Sequence, residues 1–301
     1  VYENALKPIM QKWSIPGAAL AITDKGRLVY ARGFGYADRE AGIPVQPGSI
    51  FRFASISKTL TGMTILKLAE EGRLSLDAKF MDLIPNITPI AGLNFDPRMR
   101  NVTVRQLLQH TGGFDKDIPE DWVLQFSAAA RALGVTYSSL TPDLLCRYAI
   151  SQRLDFDPGT RYSYNQSGYL FLARIIEKIT GKKYEDAVRE KLLAPAGVTT
   201  LKLGHSLLSQ KEPDEVKYYS YPGAALLTTA VVPGAAVPAP RQYGGYWVEQ
   251  AEAYGGWIGN AIDLMKYINA LEGRRGPAIL NAASLATIVA RPAPPVTPTG
   301  P

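Results

Sequence analysis

The chain has 301 residues and a formal charge of +6, from 33 lysines and arginines against 27 aspartates and glutamates. That length suits one large domain or two intimate subdomains, since a single domain averages roughly 100 to 200 residues. The basic balance is diffuse: its densest points are the pairs Lys182-Lys183 and Arg274-Arg275, too short for a nucleic-acid or membrane patch. The single cysteine, Cys146, excludes an intrachain disulfide, and with only His110 and His205 beside it the composition argues against a zinc site.

From the N-terminus, Tyr2 to Trp13 reads as a short amphipathic helix. AALAIT (Ala18 to Thr23), the turn Asp24-Lys25-Gly26 and RLVYARGFG (Arg27 to Gly35) then predict a β-hairpin. From Ser55 the apolar positions Ile56, Leu60, Met63, Leu66 and Leu68 approximate a helical stripe, with Gly72 placed as a C-terminal cap. Further helices are predicted over Thr103 to His110, Pro142 to Ser151, Ser167 to Thr180 stopped by Gly181, Tyr184 to Leu193, and Ala261 to Leu271. The last has Asn260 as a cap and Asp263 near the positive end of its dipole.

Pro222 to Pro240 is uncharged and approaches the ~20 residues of a membrane span, but its prolines and glycines argue against a helix, so no span is expected. Leu207 to Gly256 is rich in Tyr, Pro and Gly. It reads either as a surface excursion packed by its own aromatics, Tyr218, Tyr219, Tyr221, Tyr243, Tyr246 and Trp247 among them, or as a wall of a substrate cleft. Val1 opens no charged-then-apolar leader, so the expectation is that any secretory signal has either been removed or never existed. One convincing hairpin is marginal alone, and after Leu285 the chain runs into ARPAPPVTPTGP, which reads as linker or loop. Strands completing the sheet are therefore expected from a continuation of the chain or from a second polypeptide.

The stretch FRFASISK carries the only Ser-x-x-Lys, Ser55 and Lys58, at a helix start where backbone N–H groups are unpaired and both side chains share a face. Alone the pair is a weak signal, expected by chance in a chain of this length, and the ordinary reading is a helix cap beside a solvated lysine. Three further stretches follow in order: VTVRQLLQHTGGF (Val102 to Phe114), DPGTRYSYNQSGYLFLARIIEKITGKKYEDAVREKLLAPAGV (Asp157 to Val198) and YGGWIGNAIDLMKY (Tyr254 to Tyr267). Together the four resemble the serine β-lactamase and penicillin-binding-protein superfamily, in its class C-like branch, from about Ile15 to Pro292.

The resemblance implies an α/β (α+β) fold: an antiparallel sheet flanked by helices, formed by residues 1–52 and 253–301, an inserted mainly helical subdomain, 53–252, and a catalytic cleft between them. It implies that Ser55 is acylated, that Lys58 lies one helical turn along, and that Tyr164 is the tyrosine of a Tyr-x-Asn motif. The asparagine position falls on Gln166, a departure that keeps an amide one methylene further out. Reading Ser163-Tyr164-Asn165 as a Ser-x-Asn motif restores the asparagine but breaks the spacing to Gly168-Tyr169. The loop after LLQHTGGF places Asp117 near substrate, and Asp77 resembles a turn-stabilising aspartate. The family's third motif, Lys/His-x-Gly, supplies the second oxyanion N–H after that of Ser55 and is not found in these residues. A D-alanyl peptide, a β-lactam and a small ester all suit the constellation, no metal or organic cofactor is implied, and most relatives act outside the cytoplasm, although one unpaired cysteine suits either side.

The chemistry has its own logic. A serine hydroxyl needs a neighbour to take its proton, while lysine and tyrosine ordinarily titrate near 10.4 and 10; bringing either alone to neutrality needs about 4 kcal/mol. Adjacent, they share one proton between them and titrate as a pair. Lys58 and Tyr164 together are therefore expected to deprotonate Ser55, with Tyr164 then protonating the leaving group. His110 lacks the Gly-x-Ser-x-Gly context of a triad hydrolase and reads as structural, and Gly255 and Gly256 read as packing residues. The competing reading is a binding or regulatory module with little turnover, for which Gln166 and the missing third motif speak and against which the Ser55, Lys58 and Tyr164 trio stands; a purely structural interaction protein would make the trio a coincidence.

Overall fold

The computed structural model describes residues 2–115, 121–231, 237–274 and 276–292. In chain order the elements are α1 (Tyr2–Lys12), β1 (Gly17–Asp24), β2 (Arg27–Asp38), β3 (Ile43–Pro44), β4 (Phe51–Arg52), α2 (Ser57–Glu70), α3 (Phe80–Leu83), α4 (Val104–Leu108), α5 (Phe126–Leu133), α6 (Pro142–Ile150), α7 (Ser167–Thr180) and α8 (Tyr184–Val188). They continue with β5 (Lys202–Leu203), β6 (Leu227–Thr228), β7 (Pro238–Ala239), β8 (Trp257–Gly259), α9 (Ala261–Leu271) and α10 (Ala282–Val289). Helices mix with antiparallel strands, as expected. The chain divides into two compact units, Val1–Ala54 with Leu193–Glu249 and Gly256–Ile279, and Ser55–Leu192 with Gln250–Gly255 and Leu280–Pro301.

The first unit holds the predicted hairpin. Lys25 and Gly26 form its two-residue loop at φ +47° and +76°, the two left-handed residues of a type I′ turn, so Asp24 faces Arg27. β3 adds to the far side of β2, and α9 packs on β1. A second sheet, in the order β4-β8-β5, is built from strands of two or three residues. At its centre Gly259 passes so close to Leu201 that a Cβ there would lie 2.6 Å from the leucine Cδ1. The predicted cap of α9 is present: Asn260 Oδ1 accepts from Asp263 N at 2.7 Å, and the Asp263 carboxylate accepts from Thr200 N and Oγ1 at 3.1 and 2.8 Å.

The tyrosine-rich stretch packs on itself around Arg52. The guanidinium lies 4.6 Å from the Tyr218 ring and 5.6 Å from that of Tyr243, donates to the carbonyls of His205 and Gln242, and faces Glu215 at 3.8 Å. Tyr218 Oη in turn donates to Glu215 at 2.8 Å and accepts from Arg52 N at 2.7 Å. The uncharged run from Pro222 to Pro240 contains only the short β6–β7 ladder among its described residues, and no described helix is long and apolar enough to cross a membrane.

The second unit is helical. From Ser167 to Ile176 every residue of α7 is buried, the pattern of a helix covered all round. It packs against α2, α4 and α6, with Phe171 ringed by Phe80 and Phe114 at 4.8 and 5.7 Å. Two short-range signals set helix boundaries in this unit: Thr103 and Gln106 form a capping box for α4, and Gly181 ends α7 in the left-handed conformation. Two predicted helices differ from expectation. The helix read from Ser55 begins at Ser57, after a 3₁₀ turn over Ala54–Ile56, and the one read through Leu193 becomes a π turn after Val188.

Glu215 is 2% exposed and Arg52 15% at the side chain, so removing one partner strands the other. Arg52→Met is expected to destabilise the fold by about 3–5 kcal/mol, and Arg52→Met with Glu215→Leu to recover most of it, both read from urea unfolding.

Candidate active site

Ser55 does not cap α2. The helix has Ile56 at its N-cap with no side-chain hydrogen bond, and Ser55 Oγ lies instead 2.6 Å from Tyr164 Oη and 3.4 Å from Lys58 Nζ. Ala54, the preceding residue, sits at φ +46°, a conformation rare for a residue with a Cβ. The turn leaves the serine exposed while Lys58, one helical turn on, is only 6% exposed.

Lys58 Nζ has three acceptors for three protons: Tyr164 Oη at 2.5 Å, the Tyr254 carbonyl at 3.0 Å and Ser55 Oγ at 3.4 Å. The rings of Tyr164, Tyr169 and Tyr254 surround it at 4.6 to 5.6 Å. Burial pushes its pKa down to about 8, against the Asp121 charge, which favours the ammonium.

Tyr164 is held from its backbone outward. His110, at φ +57°, accepts from Ser163 N through its carbonyl at 2.9 Å and from Asn165 N through Nδ1 at 3.3 Å, bracketing the tyrosine. Its ring lies 4.7 Å from that of Tyr164 and 5.1 Å from that of Tyr169. Burial, and then the Lys58 charge, drive the imidazole down to about 3. A neutral ring whose Nδ1 already accepts a bond supports the structural reading of His110.

Asn165 is 1% exposed and spends its amide on the backbone, donating to Ser163 O and accepting from Gly168 N, both at 2.9 Å. It therefore holds the first turn of α7. Gln166 follows: its backbone N donates to Asp121, while its Oε1 is buried without a hydrogen-bond partner. Asp121 also accepts from Ser167 N at 3.2 Å and Ser167 Oγ at 2.5 Å, a buried carboxylate at the positive end of a fourteen-residue helix. Burial pushes its pKa up, opposed by those same hydrogen bonds. Asp117 lies outside the described residues. Asp77 forms a two-pronged ion pair with Arg105 at 2.7 and 2.9 Å.

Ser55, Lys58 and Tyr164 open on a cavity of about 480 Å³ whose apolar wall includes Met63, Leu66, Leu108 and Ile288. Two participants were not foreseen from the sequence: Asp121, whose partners are 45 residues away, and the Tyr254 carbonyl. The second lies at the start of a quoted motif, but a main-chain acceptor has no side-chain signature.

The beta-lactamase family model matches residues 3–300. The chain belongs to the beta-lactamase family. Among curated relatives, Protein flp of Staphylococcus aureus (strain NCTC 8325 / PS 47) is 31% identical over 191 residues, covering 63% of this chain and 35% of that protein. Penicillin-binding protein 4* of Bacillus subtilis (strain 168) is 30% identical over 219 residues, 73% of this chain and 44% of that one. This beta-lactamase-family chain thus spans between about a third and under half of the length of those relatives. Among solved structures, the octameric penicillin-binding protein homologue from Pyrococcus abyssi superposes with a TM-score of 0.67 at 27% identity, covering 94% of this chain and 58% of that one.

Because an unfolded lysine titrates near 10.4 and Lys58 near 8 in the folded family member, the unfolded chain binds the extra proton between those values. The contribution of this group to stability therefore rises with pH through that window. Amine-reagent labelling of Lys58, mapped by peptide mass spectrometry, should show a midpoint near pH 8, and a lower one in Asp121→Asn.

Proposed function

We propose that the chain performs acyl transfer through a covalent ester on Ser55, acting as a serine hydrolase on an ester, D-alanyl peptide or β-lactam carbonyl. The observation that carries this reading is the Ser55–Tyr164–Lys58 triangle, with edges of 2.6, 2.5 and 3.4 Å. Its amine is poised well below the ordinary lysine range. The Ser55 proton passes to Tyr164 Oη as the Tyr164 proton passes to neutral Lys58, and Ser55 Oγ bonds to the substrate carbonyl carbon. Collapse of the tetrahedral adduct breaks the bond to the leaving group, which takes a proton back from Tyr164 as Lys58 resupplies it. Water attacks the ester by the same route in reverse, releasing the acid and restoring Ser55–OH. Membership of the beta-lactamase family and the names of the penicillin-binding relatives support this reaction class.

A second reading is favoured by one observation. The Gln166 amide oxygen, at the family's asparagine position, is buried and without a hydrogen-bond partner, a departure from an amide open to a substrate N–H. A site that acylates and then holds its acyl group, a penicillin-binding or regulatory module, fits that departure.

Intact-protein mass spectrometry after incubation with p-nitrophenyl acetate and with a penicillin separates these readings. Rapid reagent consumption with only a transient Ser55 adduct supports hydrolysis; a lasting adduct supports the second reading. Absence of both consumption and adduct in folded protein would overturn both. Ser55→Ala is expected to abolish the adduct, and Tyr164→Phe to slow acylation by about 10²- to 10⁴-fold.

A further inference from the structure

The carbonyl that receives the third Lys58 proton belongs to a short strap, Gln250–Gly255, which the second unit holds almost residue by residue. Gln250 Nε2 donates to the Leu140 carbonyl at 3.0 Å, and the Ala253 carbonyl accepts from Thr61 Oγ1 at 2.6 Å. Between them Glu252 receives a charged hydrogen bond from Arg174 of α7. Because the Thr61 proton goes to Ala253, the 2.7 Å bond between Thr61 Oγ1 and Tyr184 Oη must be donated by the tyrosine. Tyr184 N donates to Glu177 Oε1 at 2.8 Å, and Glu177 pairs with Arg174 at 2.8 Å. Two arms from Arg174, one direct and one through Glu177, Tyr184 and Thr61, thus reach adjacent residues of the strap just before the Tyr254 carbonyl.

The Arg174 and Glu252 side chains are 8% and 14% exposed, and Asp143 adds another carboxylate at 3.1 Å from the guanidinium. An ion pair this buried is a poor source of net stability, since desolvation consumes much of the Coulomb gain. Its geometry, however, fixes a direction. We infer that Glu252 and Arg174 are positioning residues for Lys58: their ion pair fixes the strap so that the Tyr254 carbonyl stays on the ammonium. Burial pushes the Glu252 carboxyl up and the Arg174 charge holds it down, and Glu252→Gln keeps the shape of the side chain while removing its charge.

A carbonyl accepting from an ammonium favours the charged amine, so a displaced strap lowers the Lys58 midpoint further. The consequence for rate rests on the acyl-transfer reading; the effect on Lys58 does not. The test uses the full chain as wild type, Glu252→Gln, Glu252→Asp and Arg174→Lys, with Glu190→Gln as a control on an exposed ion pair. Lys58 labelling by acetic anhydride is followed against pH by peptide mass mapping, beside a thermal melt of each variant. The expected result is a midpoint about one pH unit lower in Glu252→Gln, a tenfold change in free amine at fixed pH, with Glu252→Asp restored towards wild type and Glu190→Gln unchanged. A lower melting temperature with an unshifted midpoint would make the pair merely structural and overturn the inference. Should Glu252→Gln fail to fold, Arg174→Lys carries the same test. Acylation of Ser55 by p-nitrophenyl acetate is then measured across pH. No acylation of the wild type would sink the acyl-transfer reading and leave the labelling result standing. Acylation by the wild type and Glu252→Gln with one pH profile would sink the inference alone.

Discussion

Burying an amine disfavours its ammonium form, and the arrangement around Lys58 is a response to that constraint. At 6% exposure an unsatisfied ammonium would be driven to neutrality outright, since desolvation alone shifts buried lysines by several pH units. The Asp121 carboxylate offsets part of this, leaving the group near 8, while three acceptors receive the protons of its charged form. That intermediate value suits a proton relay. An amine fixed as ammonium could not take a proton from Tyr164, and one that never charged could not hold it.

Each acceptor makes its own demand on the surrounding helices. Ser55 and Lys58 come from consecutive turns of one segment, so their spacing is local. Tyr164 comes from the entry to α7, where the orphan N–H groups of a long buried helix must find partners away from water. Asn165 and Asp121 supply them. In doing so they fix the backbone around Tyr164, and Asp121 adds a charge that stabilises the ammonium. The same carboxylate thus caps the helix and favours the Lys58 ammonium, coupling the start of the core helix to the protonation of Lys58.

The sequence made legible what depends on short separations. The hairpin follows from Asp24-Lys25-Gly26, α7 from its apolar run and Gly181, the α9 cap from Asn260, and the Ser55–Lys58 pair from its spacing. Tyr164 became visible only through the resemblance carried by the stretch around it. The second sheet was not legible, because strands as short as Phe51–Arg52 and Lys202–Leu203 have no period to read, and they pair with Trp257–Gly259 across 206–208 and 54–56 positions. Asp121 escaped for the same reason of separation. Arg52 escaped because a lone arginine beside a nucleophile gives no hint that it will gather Glu215, Tyr218 and Tyr243 around itself. The start of α2 was misplaced by two residues because a serine before an apolar stripe is the ordinary signal of a cap, and here the hydroxyl is engaged elsewhere.

His110 shows how a strained residue divides the work. Left-handed backbone at a residue with a Cβ costs of order 1–3 kcal/mol and persists where the surroundings over-determine it. Histidine and asparagine tolerate it better than most residues, but glycine would serve the backbone at lower strain. What glycine cannot supply is an acceptor on the far side of Tyr164 and an aromatic face beneath its ring. The first function requires the imidazole to stay neutral, because a protonated Nδ1 would donate where Asn165 N must be received. Burial and the neighbouring ammonium enforce that neutrality. A second titrating base near the serine is thereby removed, and among the described residues the groups that meet Ser55 Oγ are Tyr164 and Lys58.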